Sequence, residues 1–388
     1  MWCPSWLFAS ENNIEQLIND FPVQAIKQLS TDRRSSPSKE HLSNADRKLA
    51  RIHVAIVQGA FEHANEQLTA VNQELLSSNE LAYFYYLNAL NLAHQFNGVG
   101  AMDYLNRLKV ADSPSVLVNP QFSYLLVYAR VYLNANELNL FSNILIQLQS
   151  IQNKSSKVWR FCQLANLSLQ SSIAKSKLKS NSQFYKNMTV KCLTEHLGVV
   201  AADSFYQLAT VDIALNKVNQ QTVKYLQKAA QIYQSQRIVN RLVDTYLLSF
   251  EVALIKGELL HAASILQTIK VLLEDKITPK QQIAFYQLSA QYYQRTDELD
   301  KALNALESFV AEKAKLEKNK RTDNVSFLTF RITEDRQRLE RAIEQEKEAI
   351  KRSKENESKY YFLLVTVGFF SIIGLISLIF IAISRLKR

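Results

Sequence analysis

The sequence predicts an all-α protein built from repeated helical hairpins, and three observations support this fold class. The chain of 388 residues contains only 7 Gly and 6 Pro, so it has few of the residues that usually mark turns. Residues that favour helices or their ends, such as Leu, Ala, Gln, Lys and Glu, fill its body, and alternating β-branched runs bounded by turns are missing. Finally, apolar residues recur with a long period.

The long period is defined by six anchor residues, several of which lie 40 positions apart: Tyr85, Leu125, Phe161, Tyr206, Tyr246 and Tyr286. Small or apolar residues follow most anchors four, seven, sixteen and twenty positions later, which predicts two helices with apolar stripes in each unit. One such hairpin cannot bury its apolar face, but stacked hairpins bury a continuous core. The pattern is weakest near 171–191, where polar residues replace the expected apolar ones.

At these positions the sequence resembles the tetratricopeptide repeat (TPR) family, over residues 48–310. The resemblance implies a solenoid that binds a peptide or protein in a groove lined by the first helix of each unit. By that resemblance, the groove residues lie one, five and eight positions after the anchors: Tyr86, Leu90, Leu126, Arg130, Gln207, Val211, Leu247, Glu251, Gln287, Gln291 and Gln294. This set lacks the Lys and Arg cluster that would clamp an acidic peptide terminus.

The segments that flank the repeats complete the predicted domain organisation. Residues 1–10 are apolar and resemble the end of a signal peptide, and residues 11–47 predict short helices and a polar loop. Residues 325–359 alternate in charge and predict a long helix with a thin heptad seam. This seam fits either a weak homodimer through 332–359 or a single exposed helix.

Residues 360–384 contain a long apolar run, FLLVTVGFFSIIGLISLIFIAI. This run has no charged residue and is long enough to cross the lipid bilayer, so it predicts a single transmembrane helix, followed by a basic tail at 385–388. Lysines and arginines lie on both flanks and do not decide the orientation. We expect a single-pass protein of the bacterial inner membrane with its repeats in the periplasm. The alternative is a tail-anchored scaffold with its repeats in the cytosol.

The order of the segments along the chain is also similar to that of a known class of proteins. It resembles the sensory half of bacterial membrane proteins in which TPR repeats precede a span and a diguanylate cyclase or histidine kinase. The output domain is absent from this sequence. The resemblance implies a protein-interaction or sensor module that signals through its membrane helix.

No motif in the sequence predicts catalysis. The histidines form no HxxxH or HExxH pair, and the motifs GxxxxGK[ST], GxGxxG and GxSxG are missing. The cysteines are Cys3, Cys162 and Cys192, and their spacing fits neither a CxxC metal site nor a disulfide framework. Cys162 is expected to be a small buried apolar residue. We therefore expect no enzyme activity, no metal and no cofactor.

The net charge of +10 is concentrated in the window 138–194, which contains eight Lys and Arg residues and no Asp or Glu. This basic window supports a third hypothesis, a protein that binds an anionic polymer. However, the mixture of aromatic residues and arginines that is typical of nucleic-acid sites is weak here. Nucleic acid is therefore not the expected partner, and a solvated surface is the simpler interpretation.

Overall fold

The computed structural model describes residues 13–31, 43–111, 120–152, 158–174, 198–273 and 278–318, with isolated residues between 187 and 192 and short pieces between 329 and 374. The chain divides into two units, residues 1–324 and 325–388. The regular structure in these described parts is entirely helical, which confirms the all-α fold class.

The first unit is a series of α-helices. They are α1 Asn13–Asp20, α2 Pro22–Thr31, α3 Asn44–Val57, α4 Phe61–Thr69, α5 Ser78–His94, α6 Gly98–Ala111, α7 Pro120–Asn134, α8 Leu138–Gln152, α9 Val158–Ala174, α10 Val199–Ala214, α11 Gln220–Ser235, α12 Val239–Lys256, α13 Leu259–Leu273, α14 Pro279–Arg295 and α15 299–318. From α3 onwards, five pairs of successive helices form hairpins: α3–α4, α5–α6, α7–α8, α10–α11 and α12–α13. The first helices α3, α5 and α7 contact one another in turn, and so do α9, α10, α12 and α14.

The turn inside each hairpin is built in the same way. A residue with positive φ follows six of the first helices: Gly59, Phe96, Asn136, Asn216, Gly257 and Asp297. The N–H of the next residue donates to the carbonyl five positions earlier, at 2.8–2.9 Å, which satisfies an orphan carbonyl at the helix end. Asn and Asp adopt this left-handed conformation more readily than other side chains, so the turns need few glycines. From Phe96 onwards they are spaced by 40 or 41 residues, or by 80 between Asn136 and Asn216, which agrees with the sequence period.

The core confirms the predicted helical repeat. The residues four positions after the anchors lie at helix–helix contacts, and five of them are buried: Ala89, Ala129, Ala165, Phe250 and Ala290. Small side chains at these positions allow the helices to approach closely, and larger apolar residues fill the remaining space. At the end of the described array, the corresponding face of α15 is open, and Leu306 is 48% exposed.

The second unit contains a helical stretch at 343–354, in which Glu348 and Arg352 form an ion pair at 3.2 Å. The prediction of a transmembrane helix at 360–384 is wrong, because none of the helices that the structure describes is long and apolar enough to cross a membrane. Hydropathy counts side chains, whereas a span also requires an unbroken helix of about 20 residues. The predicted localisation in the bacterial inner membrane is wrong for the same reason.

Other predictions fall outside the part of the chain that the structure describes. They are the signal-peptide remnant at 1–10, the basic tail at 385–388 and most of the apolar run at 360–384. The remaining domain boundaries stay predictions.

Candidate binding site

The repeats curve so tightly that the array meets itself. The turn between α3 and α4 contacts the start of α12, where Asn240 Nδ2 donates to the Gly59 carbonyl at 3.1 Å. Beside this contact, Gln58 Nε2 donates to the Gln236 carbonyl at 3.1 Å. Gly59 has φ +85°, and a Cβ atom at this position would lie 2.4 Å from Asn240 Nδ2. The first helices of distant units therefore face a common interior, which we call the lumen.

The short helix α1 lies across this lumen. It packs against α3 and α10, and its Glu15 accepts a hydrogen bond from the Ser123 hydroxyl of α7. A second Glu15 oxygen lies 3.8 Å from Arg160 Nη2 of α9, and both side chains are almost completely buried. Helix α1 thus contacts the first helices of several units and fills part of the inner face.

Asp20 at the end of α1 is fully buried and joins it to the start of α10. Its Oδ1 accepts the N–H of Val200 at 2.9 Å, as an N-cap side chain would. A Cβ atom on Gly198 would lie 2.2 Å from the Asp20 carbonyl oxygen, so only a glycine fits against this chain segment. Burial raises the pKa of Asp20 from 3.8 to about 7, although the backbone hydrogen bonds oppose this shift.

Four charged or titratable side chains converge on another part of the lumen, and we call them the lumen cluster: His94, Arg130, Asp203 and Arg241. Arg130 Nη1 of α7 lies 3.0 Å from His94 Nδ1 at the end of α5. Arg241 Nε of α12 lies 3.9 Å from Asp203 Oδ1 of α10. Asp203 also accepts a hydrogen bond from the Tyr233 hydroxyl at 2.5 Å.

The closure of the array explains why these helices meet. Phe61, at the start of α4, stacks on the His94 ring with centroids 5.0 Å apart. Gly59, two residues earlier, holds Asn240, which directly precedes Arg241. The α3–α4 turn therefore brings the start of α12 to the end of α5.

The charges in the lumen cluster are unequally compensated. Asp203 raises the pKa of Arg241, so this arginine has a carboxylate partner. Burial lowers the pKa of His94 well below 6.5, and the charges of Arg130 and Arg241 lower it further, so the imidazole is neutral. Burial, and next the charge of Arg241, lowers the pKa of Arg130 to about 10. Arg130 is thus a half-buried cation whose hydrogen-bond partner is a neutral ring.

The structure distributes the predicted groove residues over three environments. Leu90, Leu126, Arg130 and Glu251 are half-buried, and Tyr86, Gln207, Val211 and Leu247 are buried. The three glutamines on α14 are exposed: Gln287, Gln291 and Gln294. These residues do not converge on one point, and the groove assignment stays a prediction.

Sequence reasoning missed three members of the lumen cluster. Arg241 precedes its anchor Tyr246 by five positions, and Asp203 precedes Tyr206 by three, so neither falls on the groove positions of the family frame. The next unit also has a polar residue at the position that corresponds to Arg241, and this repetition could have indicated the site. Gln281 lies five positions before Tyr286 and donates from Nε2 to the Asn240 carbonyl at 2.8 Å.

The structure also corrects the interpretation of the cysteines. Cys162 of α9 is buried as expected, but it forms a disulfide with Cys192, and the two Cα atoms are 5.7 Å apart. This bond fastens the segment that contains the weakest repeat. Two cysteines 30 residues apart fit no spacing rule, so only the fold could reveal the pair.

Comparison with known proteins identifies solved structures with a similar fold. No protein-family model matches the chain, and no curated protein matches it in sequence. A crystal structure of a Rap protein complexed with competence and sporulation factor is similar, with TM-score 0.52 and 13% identity, over 81% of this chain and 99% of that one. The chain has a TPR-like helical repeat fold.

Two further structures resemble the chain more distantly. The apo form of RapI aligns with TM-score 0.43 and 12% identity, over 81% of this chain and 99% of that one. The apo form of the quorum sensor NprR from B. thuringiensis aligns with TM-score 0.42 and 13% identity, over 82% and 97%.

Proposed function

We propose that this chain is a peptide- or protein-binding receptor, not an enzyme, and that its partner binds on the inner face of the repeats. The observation that carries the proposal is the row of Gln287, Gln291 and Gln294, which lies exposed along one side of the first helix α14. Each glutamine amide offers both donors and an acceptor, as a peptide backbone requires. The similar Rap structure holds competence and sporulation factor, which agrees with a receptor on this fold.

Helix α1 limits where the partner can bind. Its contacts with Ser123 of α7, with Arg160 of α9 and with α10 cover the inner face near these residues. The half-buried Glu251 on α12 and the glutamines of α14 lie on first helices that follow this covered part. We therefore place an extended peptide along α12 and α14, with one end at the lumen cluster, to which α12 contributes Arg241.

A matched pair of triple variants tests this proposal. In the first variant, the α14 glutamines Gln287, Gln291 and Gln294 become Ala. In the second, alanine replaces three exposed glutamines with the same spacing on the second helix α11: Gln227, Gln231 and Gln234. The full-length chain is used to capture peptides from a random synthetic heptapeptide pool, and the affinities of captured peptides are measured by fluorescence anisotropy.

We expect the α14 triple variant to weaken binding by about tenfold or more, because each lost hydrogen bond costs about 1 kcal/mol. The α11 variant should bind like the wild type. Equal affinity in all three proteins would place the partner elsewhere. Failure of the wild type to capture any peptide would refute the receptor function.

A homodimer through 332–359 is a second, separate proposal. Ile343 and Ile350 lie seven residues apart in the described helix and are 43% and 51% exposed, which is the heptad spacing of a two-stranded contact. Ile343→Cys should therefore form an interchain disulfide in the oxidised full-length chain, and Glu348→Cys should not. Equal crosslinking at both positions would argue against the seam.

The anionic-polymer alternative receives no comparable support. All seven lysines of the basic window lie outside the described residues. Arg160, its arginine, is 4% exposed and faces Glu15 instead of solvent.

A further inference from the structure

We propose that the lumen cluster is a receptor site for a carboxylate of the bound peptide, and that Arg130 is the residue that contacts it. This inference rests on the receptor function proposed above and names the chemistry that the partner must carry. The carboxylate is either an Asp or Glu side chain or the C-terminus of the peptide. Both present the same pair of oxygens to a guanidinium group.

The first argument compares three arginines carried by first helices that face the lumen. Arg160 of α9 lies 3.8 Å from Glu15, and Arg241 of α12 lies 3.9 Å from Asp203. Arg130 of α7 has no carboxylate partner among the described residues, and its hydrogen bond goes to His94. Two of the three arginines are thus neutralised from within the chain, and the third keeps its charge available.

The chain itself provides an example of the proposed contact. Helix α1 inserts the carboxylate of Glu15 between Ser123 of α7 and Arg160 of α9. An acidic side chain on an extended or helical segment can therefore reach an arginine on the inner face of these repeats. Arg130 lies two turns after Ser123 on the same helix α7, so an acidic group of a second segment would meet it in an equivalent way.

The second argument is the fixed position of Arg130. Its Nη1 donates to the neutral Nδ1 of His94, and Phe61 stacks on the face of that imidazole with ring centroids 5.0 Å apart. A guanidinium group has five N–H donors, so this single bond leaves most of them for a ligand. A prepositioned arginine loses less side-chain entropy when it binds a carboxylate.

The third argument is the charge of the surroundings. Burial, and next the charge of Arg241, lowers the pKa of Arg130 to about 10, and Asp203 offsets this only in part. A bound carboxylate would relieve the repulsion between the two arginines. A nucleic acid would require many cations spread along its backbone, whereas this site offers one uncompensated charge inside a closed array.

The experiment uses two random heptapeptide pools, one with a free C-terminal carboxylate and one with a C-terminal amide. Full-length wild type, Arg130→Gln, Arg130→Lys and Arg107→Gln each capture peptides, which are identified by mass spectrometry. Arg107 is the matched control, because it lies on the second helix α6 and already pairs with Asp103 at 2.9 Å.

We expect the wild type and Arg107→Gln to enrich peptides that carry a carboxylate, and Arg130→Gln to lose this enrichment by about tenfold. Arg130→Lys keeps the positive charge but lacks the planar guanidinium group that binds both carboxylate oxygens, so it should retain part of the enrichment. Acidic side chains enriched from the amidated pool would identify a side-chain carboxylate. Capture from the free-acid pool only would identify the C-terminus.

Three outcomes would overturn the inference. One is capture of peptides with no preference for a carboxylate in either pool, and another is the same preference in wild type and Arg130→Gln. The third is a melting temperature of Arg130→Gln well below that of the wild type, which would assign Arg130 a structural role. Capture of no peptide at all by the wild type would instead refute the receptor function, and the inference with it.

Discussion

Replacement of Gly59 by alanine is the most direct test of the closed array, because the lumen cluster depends on this contact. Gly59 has φ +85°, and an alanine Cβ would lie 2.4 Å from Asn240 Nδ2, 2.9 Å from its Cγ and 3.2 Å from its Cβ. The whole Asn240 side chain would have to move. Its hydrogen bond to the Gly59 carbonyl, now 3.1 Å long, would be lost.

The expected magnitude follows from these two effects and from a matched control. Gly257 also has positive φ, +73°, but nothing lies within 4 Å of a Cβ at that position. Gly257→Ala therefore costs only the left-handed strain of about 1–2 kcal/mol. Gly59→Ala carries the same strain, about 1 kcal/mol for the hydrogen bond and about 1–3 kcal/mol for overpacking. We expect Gly59→Ala to be the more destabilising by about 2–4 kcal/mol.

A double-mutant cycle isolates the contact itself. Urea unfolding of Gly59→Ala, Asn240→Ala and the double variant is followed by far-UV circular dichroism, with Gly257→Ala as the control. Because Asn240→Ala removes the side chain that the new Cβ would meet, the double variant should be more stable than the sum of the single effects predicts, by about 1–2 kcal/mol. Equal costs at Gly59 and Gly257, together with additive effects in the cycle, would refute the closure.

Three further predictions concern other parts of the fold. The buried Asp20 has a pKa of about 7 in the folded chain and 3.8 as its ordinary value, so it favours folding at low pH, and this stability is lost as the pH rises toward 7. Asp20→Asn should therefore remove roughly 2–3 kcal/mol of the difference between urea unfolding at pH 5 and pH 8, and an unchanged difference would contradict the burial. The disulfide closes a loop of 30 residues, so the double replacement of Cys162 and Cys192 by Ser should cost about 3–4 kcal/mol relative to the oxidised wild type; an equal urea midpoint would speak against the bond. Ala290→Trp should cost about 1–3 kcal/mol by overpacking a 5% exposed contact, whereas Ala311→Trp on the exposed face of α15 should be neutral; similar melting temperatures would contradict this packing.

The repeats were predictable because their determinants are local. Each hairpin needs small residues where its helices cross and one residue that tolerates the left-handed conformation. Ala129 and Asn136 supply both in one unit, and Ala290 and Asp297 do so in another. These requirements recur with every hairpin and therefore appear as a period in the sequence.

The candidate site was less predictable because it depends on the accumulated rotation of many hairpins. Gly59 and Asn240 are 181 residues apart, and no local pattern shows that they touch. The predicted groove positions were assigned to each helix separately from its anchor, so they included Arg130 but not Arg241. The neighbours of Arg130 in the lumen cluster became visible only when α5, α7, α10 and α12 were placed around one lumen.

The apolar segment at 360–384 shows a different limit of sequence reasoning. Its composition satisfies the hydropathy rule for a span, yet no described helix meets both the length and the polarity that a span requires. The prediction used one necessary condition as if it were sufficient. The distribution of charges at its flanks could not correct this, because it bears on orientation only.

Arg130 gives the strongest reason to look for a ligand in the lumen. Lowering the pKa of an arginine from 12.5 to about 10 corresponds to a folding penalty of up to about 3 kcal/mol for keeping it charged. A glutamine at this position could still bond to His94 without burying a charge. Arg241 avoids the penalty because Asp203 faces it, and at Arg160 the carboxylate of Glu15 offsets part of it. Residues that reduce the stability of the fold are characteristic of binding sites. A carboxylate from a partner would supply the negative charge that Arg130 lacks among the described residues.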